Sequence, residues 1–134
     1  MHPISLTKEL LKDKIASMEE TGPTALGPGI LTSVAMASQG AAGSTVIICT
    51  DGLANIGLGA FEDIWTNDQK IANQIFYSRV GQIAKMAGIT INLVSIEGDE
   101  CNIAALSHLA DITGGHVERV NPLKLNESFS KLLT

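Results

Sequence analysis

Apolar residues recur along the chain with helical spacing in some segments and as short continuous runs in others. Over residues 5–20 the spacing predicts an amphipathic helix, with its apolar positions at Leu6, Leu10, Leu11, Ile15 and Met18. Residues 21–29, TGPTALGPG, contain two prolines and three glycines and predict a loop, after which a second, apolar helix begins at Ile30. The run TVIICT at residues 45–50 predicts a strand that is buried on both faces, as in the middle of a parallel sheet.

The rest of the chain continues to alternate between helices and strands. Residues 67–86 predict a helix that Gly88 ends, and its apolar face consists of Ile71, Ile75, Phe76, Val80, Ile83 and Ala87. The remaining predicted elements are a strand at 89–96, a helix from Ile103 that Gly114 and Gly115 end, a strand at 116–120 and a closing helix at 125–133.

Strands that are separated by helix-length connections form right-handed βαβ units and therefore a parallel sheet. We predict one domain over residues 1–134 with an α/β fold, a Rossmann-like three-layer αβα arrangement with helices on both faces of the sheet. Only three strands are predicted, and TVIICT is apolar enough to have a neighbour on each side. We therefore expect a partial domain that lacks its first strands, and an exposed strand edge that pairs with a second copy or with a complementing chain.

Composition narrows the classes of partner. A net charge of -5 and a pI near 5.0 do not predict a nucleic-acid-binding surface. No apolar run is long enough to predict a membrane span, and the first residues lack the apolar core of a signal peptide. Cys49 is expected inside the buried strand and Cys101 in a polar turn, without the CxxC spacing of a metal or redox site. These features predict a cytoplasmic, reducing environment.

The first predicted strand runs directly into Asp51 and Gly52. Asp51 then lies at the carboxyl end of the strand, where open α/β sheets place their ligand sites. The structural alternative is that Asp51 caps backbone amides in a turn and that Thr24 is the N-cap of the following helix. Both interpretations remain open at this point.

Three stretches, TGPTALGPGI, VIICTDGLANIG and ITINLVSIEGDECNIAALSHLADITGGHVERVNP, resemble the second half of a von Willebrand factor type A domain. They are most similar to intracellular members, namely the trunk domains of COPII coat subunits and the domain attached to circularly permuted Ras-like GTPases. The resemblance covers nearly the whole chain. It implies a doubly wound, mostly parallel sheet of six strands with a metal-ion-dependent adhesion site at its carboxyl end.

In that family the site takes its ligands from an Asp-x-Ser-x-Ser loop, a threonine in a second loop and an aspartate in a third. The matching positions are Thr24 and Asp51, whereas no Asp-x-Ser-x-Ser occurs in the chain. Mg²⁺ requires near-octahedral oxygen ligands, and one threonine with one aspartate supplies too few of them. The resemblance therefore implies an incomplete Mg²⁺ site of weak affinity.

Two functions follow from this resemblance. The first is a non-enzymatic protein–protein interaction module, in which an acidic side chain of a protein ligand completes the metal site. The second is a metal-independent structural scaffold of the vesicle-coat trunk kind. An enzyme is not expected, because the chain has no GxSxG, GxxxxGK[ST] or GxGxxG motif and no convincing nucleophile.

Two further groups of residues carry weaker hypotheses. Asp99, Glu100, Cys101 and His108 do not have the usual spacing of a zinc site. Trp65 lies in an acidic segment with Glu62, Asp63 and Asp68, where a packing role and a partner contact are both open.

Overall fold

The computed structural model describes residues 3–19, 21–51, 54–60, 66–96, 103–121 and 123. The elements in chain order are α1 (Ile4–Ala16), α2 (Leu26–Ala37), β1 (Thr45–Thr50), α3 (Asn67–Met86), β2 (Thr90–Ile96), α4 (Ile103–Thr113) and β3 (Val117–Val120). The predicted closing helix, Trp65 with its acidic neighbours Glu62 and Asp63, and the Asp99 to Cys101 cluster lie outside the described residues.

The three strands form a parallel sheet in the order β1-β2-β3. Thr45 of β1 is paired with Thr90 of β2, and Leu93 of β2 with Val117 of β3. Both faces of β2 are buried, since its five central residues are all buried. The fold is therefore α/β, with a parallel sheet flanked by helices in a Rossmann-like three-layer arrangement, as predicted.

The main core lies between one face of the sheet and three helices. The strands contribute Val46, Ile48, Ile91 and Leu93. The helices α2, α3 and α4 contribute Ile30, Val34, Tyr77, Val80, Ala84, Leu106 and Leu109. This core holds α2 against β1, so the loops at one end of these two elements are brought together.

β1 differs from its prediction, because only one of its faces is fully buried. Val46, Ile48 and Thr50 are buried, whereas Thr45 and Cys49 are exposed. Among the described residues only β2 is paired with β1, so β1 lies at an edge of the sheet. The prediction that Cys49 and both faces of this strand are buried was wrong, since an apolar run alone does not reveal how many layers cover it. The edge position of β1 among the described strands is the one that the sequence analysis predicted.

α2 begins four residues earlier than predicted. Its first turn contains Leu26, Gly27, Pro28 and Gly29, which the sequence placed in a loop. A proline is tolerated there because the first backbone N–H groups of a helix have no partner within the helix. The connection from α1 to α2 therefore spans residues 17–25.

α3 has the predicted bounds, but its buried face agrees with the prediction only at Val80, with Phe76 and Ala87 partly buried against the core. Its buried residues are Tyr77, Val80, Gly81 and Ala84, whereas Ile71, Ile75 and Ile83 are about half exposed. The small residues Gly81 and Ala84 allow α4 to approach closely, and a Cβ added to Gly81 would lie 3.1 Å from Ile112 Cδ1. Close packing of α4 therefore decides the orientation of α3, in preference to the larger apolar side chains.

α1 is helical as predicted, but none of its residues is buried. The apolar side chains Leu6, Leu10, Leu11 and Ile15 of α1, and Met18 just beyond its end, are between 43% and 78% exposed. The apolar face of α1 thus has no cover in the described part of the chain. No helix in the described ranges is both long and apolar enough to cross a membrane.

Candidate functional site

The two predicted site residues lie in neighbouring loops. Asp51 directly follows the last residue of β1, and Thr24 lies two residues before the start of α2. Both residues are exposed. Because α2 packs on β1, the connection before α2 and the loop after β1 meet at the carboxyl edge of the sheet.

Asn55 joins these two loops. Its side-chain Oδ1 accepts a hydrogen bond from the backbone N–H of Thr24 at 3.0 Å. The carbonyl oxygen of Thr24 accepts two more, from the N–H of Asn55 at 2.9 Å and from the N–H of Ile56 at 3.3 Å. The backbone of Thr24 is therefore fixed to the segment that follows Asp51.

The structural alternative for Thr24 is wrong. The N-cap of α2 is Ala25, and this helix has no side-chain capping bond. The backbone of Thr24 instead forms hydrogen bonds with Asn55, and its side chain is exposed at the surface.

Residues 54–60, which we name the 54–60 loop, pack closely against the first turn of α2. Ala54 is buried at the start of the loop. A Cβ on Gly27 would overlap the carbonyl group of Leu58, so only glycine fits at this contact. Gly57 has a φ of +82°, and a Cβ there would lie 3.3 Å from Pro28 Cγ. The loop and the helix start are therefore one packed unit.

The far end of the 54–60 loop is bonded to α3. The hydroxyl of Tyr77 donates to the carbonyl oxygen of Gly59 at 2.9 Å, and Nδ2 of Asn73 donates to the carbonyl oxygen of Ala60 at 2.7 Å. Burial raises the pKa of Tyr77 to about 12. The phenol thus remains a neutral donor at physiological pH.

The sequence on either side of the predicted site residues carries charges of one sign. Between residues 15 and 69 the sequence contains no lysine, arginine or histidine, whereas it contains six carboxylates. Within the described ranges, no group of three or more His, Cys, Asp or Glu side chains is arranged to hold a metal ion. The described acidic side chains therefore do not form a three-ligand group with Asp51, and the metal ligands Thr24 and Asp51 stay a prediction.

The 54–60 loop also exposes apolar side chains. Ile56 and Leu58 are 47% and 62% exposed on the 54–60 loop, beside the polar Thr24. In protein interfaces, apolar side chains on a rigid loop provide contact area, and exposed polar groups nearby orient the bound partner. Sequence analysis missed Asn55, Asn73 and Tyr77, since their bonds join residues that are distant along the chain.

Comparison with known proteins shows that the chain is similar in sequence to a part of a much longer protein. No family model matches the chain. The chain is 38% identical over 126 residues to circularly permutated Ras protein 1 of Dictyostelium discoideum. The match covers 94% of this chain but only 14% of that protein. The chain therefore spans a small part of the length of the curated relative that it matches.

Proposed function

We propose that this chain is a non-enzymatic protein–protein interaction module that binds through the loops at the carboxyl edge of its sheet. The observation that carries the proposal is the set of three hydrogen bonds that join Thr24 to Asn55 and Ile56. These bonds hold two exposed loops in one arrangement before any ligand binds. A preorganised surface loses less conformational entropy on binding, so rigid loops favour a binding role.

We further propose that the fold is a von Willebrand factor A type domain of an intracellular branch. The motifs around Thr24 and Asp51 support this, as does the similarity to a protein named as a circularly permutated Ras protein. In this proposal Thr24 and Asp51 bind Mg²⁺ weakly, with water at most positions. An acidic side chain of the protein ligand supplies a further oxygen to the ion.

The second candidate is a metal-independent scaffold. It is favoured by the acidic side chains of the described residues, which do not gather into a three-ligand group. In this case the exposed edge of β1 is the functional feature, because it can accept a strand from a second copy or from a complementing chain.

Calorimetric titration of Mg²⁺ and Mn²⁺ into the purified chain tests the metal site. We expect weak binding that is lost in Asp51→Ala and kept in Asp111→Ala, a matched control at an exposed position on α4. Equal heats for the two variants, or no heat for the wild type, would contradict a site at Asp51.

Affinity capture with the immobilised chain tests the binding role without assuming a metal. A captured protein is purified, and its direct binding is measured to the wild type, Asp51→Ala, Asn55→Ala and Asp111→Ala, with and without EDTA. Loss in the first two variants only, with their circular dichroism unchanged, supports the interaction module. Equal binding by all variants favours the scaffold.

A further inference from the structure

The two edges of the described sheet differ in length and in charge. At one edge, β3 has four residues and carries Glu118 and Arg119. At the other edge, β1 has six residues, TVIICT, without a charge, a proline or a glycine. Short edge strands and charged side chains protect a sheet from further pairing. Among the described strands, β1 is therefore the edge that can accept another strand.

Half of the backbone groups of β1 point away from β2. The N–H of Thr90 donates to the carbonyl oxygen of Ser44 at 3.0 Å, which sets the alternation of bonds along this parallel pair. The N–H and C=O of one residue point to the same side of a strand, so alternate residues bond to β2. The residues between them, Thr45, Ile47 and Cys49, present their N–H and C=O groups at the open edge, where no strand in the described ranges is paired with them.

A second copy of β1 can satisfy these groups in one antiparallel register. If a two-fold axis passes between the two Ile47 residues, Thr45 of each copy lies opposite Cys49 of the other. Each opposed pair then exchanges two hydrogen bonds, so that every open-edge N–H and C=O of these residues has a partner. An axis at Ile48 would leave Thr45 without a partner inside the strand, and an axis at Val46 would leave Cys49 without one.

The helix beside β1 is compatible with this pairing. α2 packs on β1 from the face of the sheet that carries the main core, so the same axis brings α2 of the two copies close together. None of its residues is charged, and Leu31 and Met36 are 37% and 55% exposed. α2 can therefore lie beside its own copy without like-charge repulsion.

We propose that two copies of this chain associate through antiparallel pairing of β1, with Ile47 of one copy opposite Ile47 of the other. The two three-stranded sheets then form one sheet of six strands, which is a common size. A second copy supplies this register by symmetry, whereas an unrelated strand would have to match it by its own sequence. The proposal rests on the open edge named for the scaffold candidate, and not on the metal site or on binding by the loops.

The pairing also places the two candidate sites. Because the β1 strands run in opposite directions, the carboxyl edges of the two copies lie at opposite ends of the joined sheet. Asp51 and the 54–60 loop of one copy are thus directed away from those of the other. The dimer would present two separate sites, and each could bind a ligand of its own.

Disulfide formation tests the register. In a Cys101→Ser background, Thr45→Cys puts a second thiol opposite Cys49 of the other copy. Cα atoms of such a hydrogen-bonded pair are about 5.5 Å apart, which suits a disulfide. We expect a covalent dimer after mild oxidation, seen by non-reducing electrophoresis. The background alone and the same background with Val117→Cys, on the β3 edge, are the controls and should remain mostly uncrosslinked.

Sedimentation and light scattering over a range of concentrations test the association itself. Ile47→Lys places two lysines directly opposite each other and should weaken dimerisation by about tenfold. Ile47→Pro removes an edge N–H and should weaken it by about 100-fold. Proline is tolerated on an edge strand when its nitrogen faces outward, so we expect this variant to stay folded. Val117→Lys is the matched control and should have no effect.

The outcomes separate this proposal from the others. A wild type that stays monomeric at every concentration would overturn it, as would a dimer that both Ile47 variants leave unchanged. Crosslinking of Thr45→Cys no stronger than that of its background would overturn the register. Circular dichroism checks that each variant is folded. The calorimetric and capture tests depend on Asp51 and Asn55, so they succeed or fail independently of this result.

Discussion

Tyr77 is the side chain on which the far end of the 54–60 loop depends. It is fully buried, and its hydroxyl donates to the carbonyl oxygen of Gly59. Its ring also packs edge-on against Phe76, with centroids 5.1 Å apart. One side chain therefore belongs both to the core and to the candidate site.

Replacement of this residue, Tyr77→Phe, should lower the free energy of unfolding by about 1–2 kcal/mol, because the Gly59 carbonyl loses its donor while the ring stays buried. The wild type should also show a pH dependence that the variant lacks. Since the pKa of Tyr77 is raised to about 12, its contribution is present below pH 10 and is lost as the pH rises towards 12.

Urea unfolding at pH 8, 10 and 11 measures this difference directly. Tyr77 is the single tyrosine of the chain, so its ionisation can also be followed by ultraviolet absorbance without interference from others. An ionisation at the ordinary pKa near 10, or parallel pH profiles for wild type and variant, would contradict the role given to the hydroxyl.

Asn55 shows why part of the site could not be predicted. Thr24 and Asp51 could be proposed because they match the positions of metal ligands in the family that the sequence resembles. Asn55 bonds to a residue 31 positions away, and no local spacing signals such a pair. A short polar side chain after a strand predicts only a turn. Its role depends on how α2 packs against β1, which is a property of the fold.

At the scale of elements, the contact between α2 and the 54–60 loop depends on one glycine. Gly27→Ala would force a methyl group into the Leu58 carbonyl, and we expect a loss of about 2–3 kcal/mol in the free energy of unfolding. This loss should occur although alanine is the better helix former by about 1 kcal/mol.

Gly29 provides the matched control two residues further along the same helix. A Cβ at Gly29 meets nothing within 4 Å, so Gly29→Ala should stabilise the protein by about 0.5–1 kcal/mol. Thermal or urea unfolding of the two variants separates the effects. Similar changes in stability for both would show that helix propensity, and not the contact with Leu58, sets the outcome.

The start of α2 and the buried face of α3 were the elements that the sequence described least well. Pro and Gly at residues 27–29 are typical of loops, and the structure uses them in a helical turn against another backbone. In α3 the large apolar side chains suggested the buried face, whereas Gly81 and Ala84 lie in it. In both cases close approach of another element outweighs local preference.

For the whole molecule, the parallel sheet and its order follow from the alternation of strands and helices, because right-handed connections leave few other topologies. The exposure of one face of β1 could not be derived in this way. A run of apolar residues indicates a strand but not how many layers cover it, and the exposure of Thr45 and Cys49 is seen only when the layers are assembled.

The register of the sheet also has a consequence for the order of folding. Partners in β1 and β2, such as Thr45 and Thr90, are 45 residues apart, whereas Leu93 and Val117 in β2 and β3 are 24 apart. Closing the longer loop costs about 0.6 kcal/mol more entropy. We expect the unit of β2, α4 and β3 to form first, and the 54–60 loop to dock after the rate-limiting step.

Folding and unfolding kinetics can establish this order. Leu109→Ala in α4 should slow folding, whereas Gly27→Ala should mainly speed unfolding. A folding rate that falls equally in both variants would contradict this order. If the order holds, the candidate site is also the part of the molecule that opens first, and substitutions that loosen it shorten the lifetime of the folded state without hindering its formation.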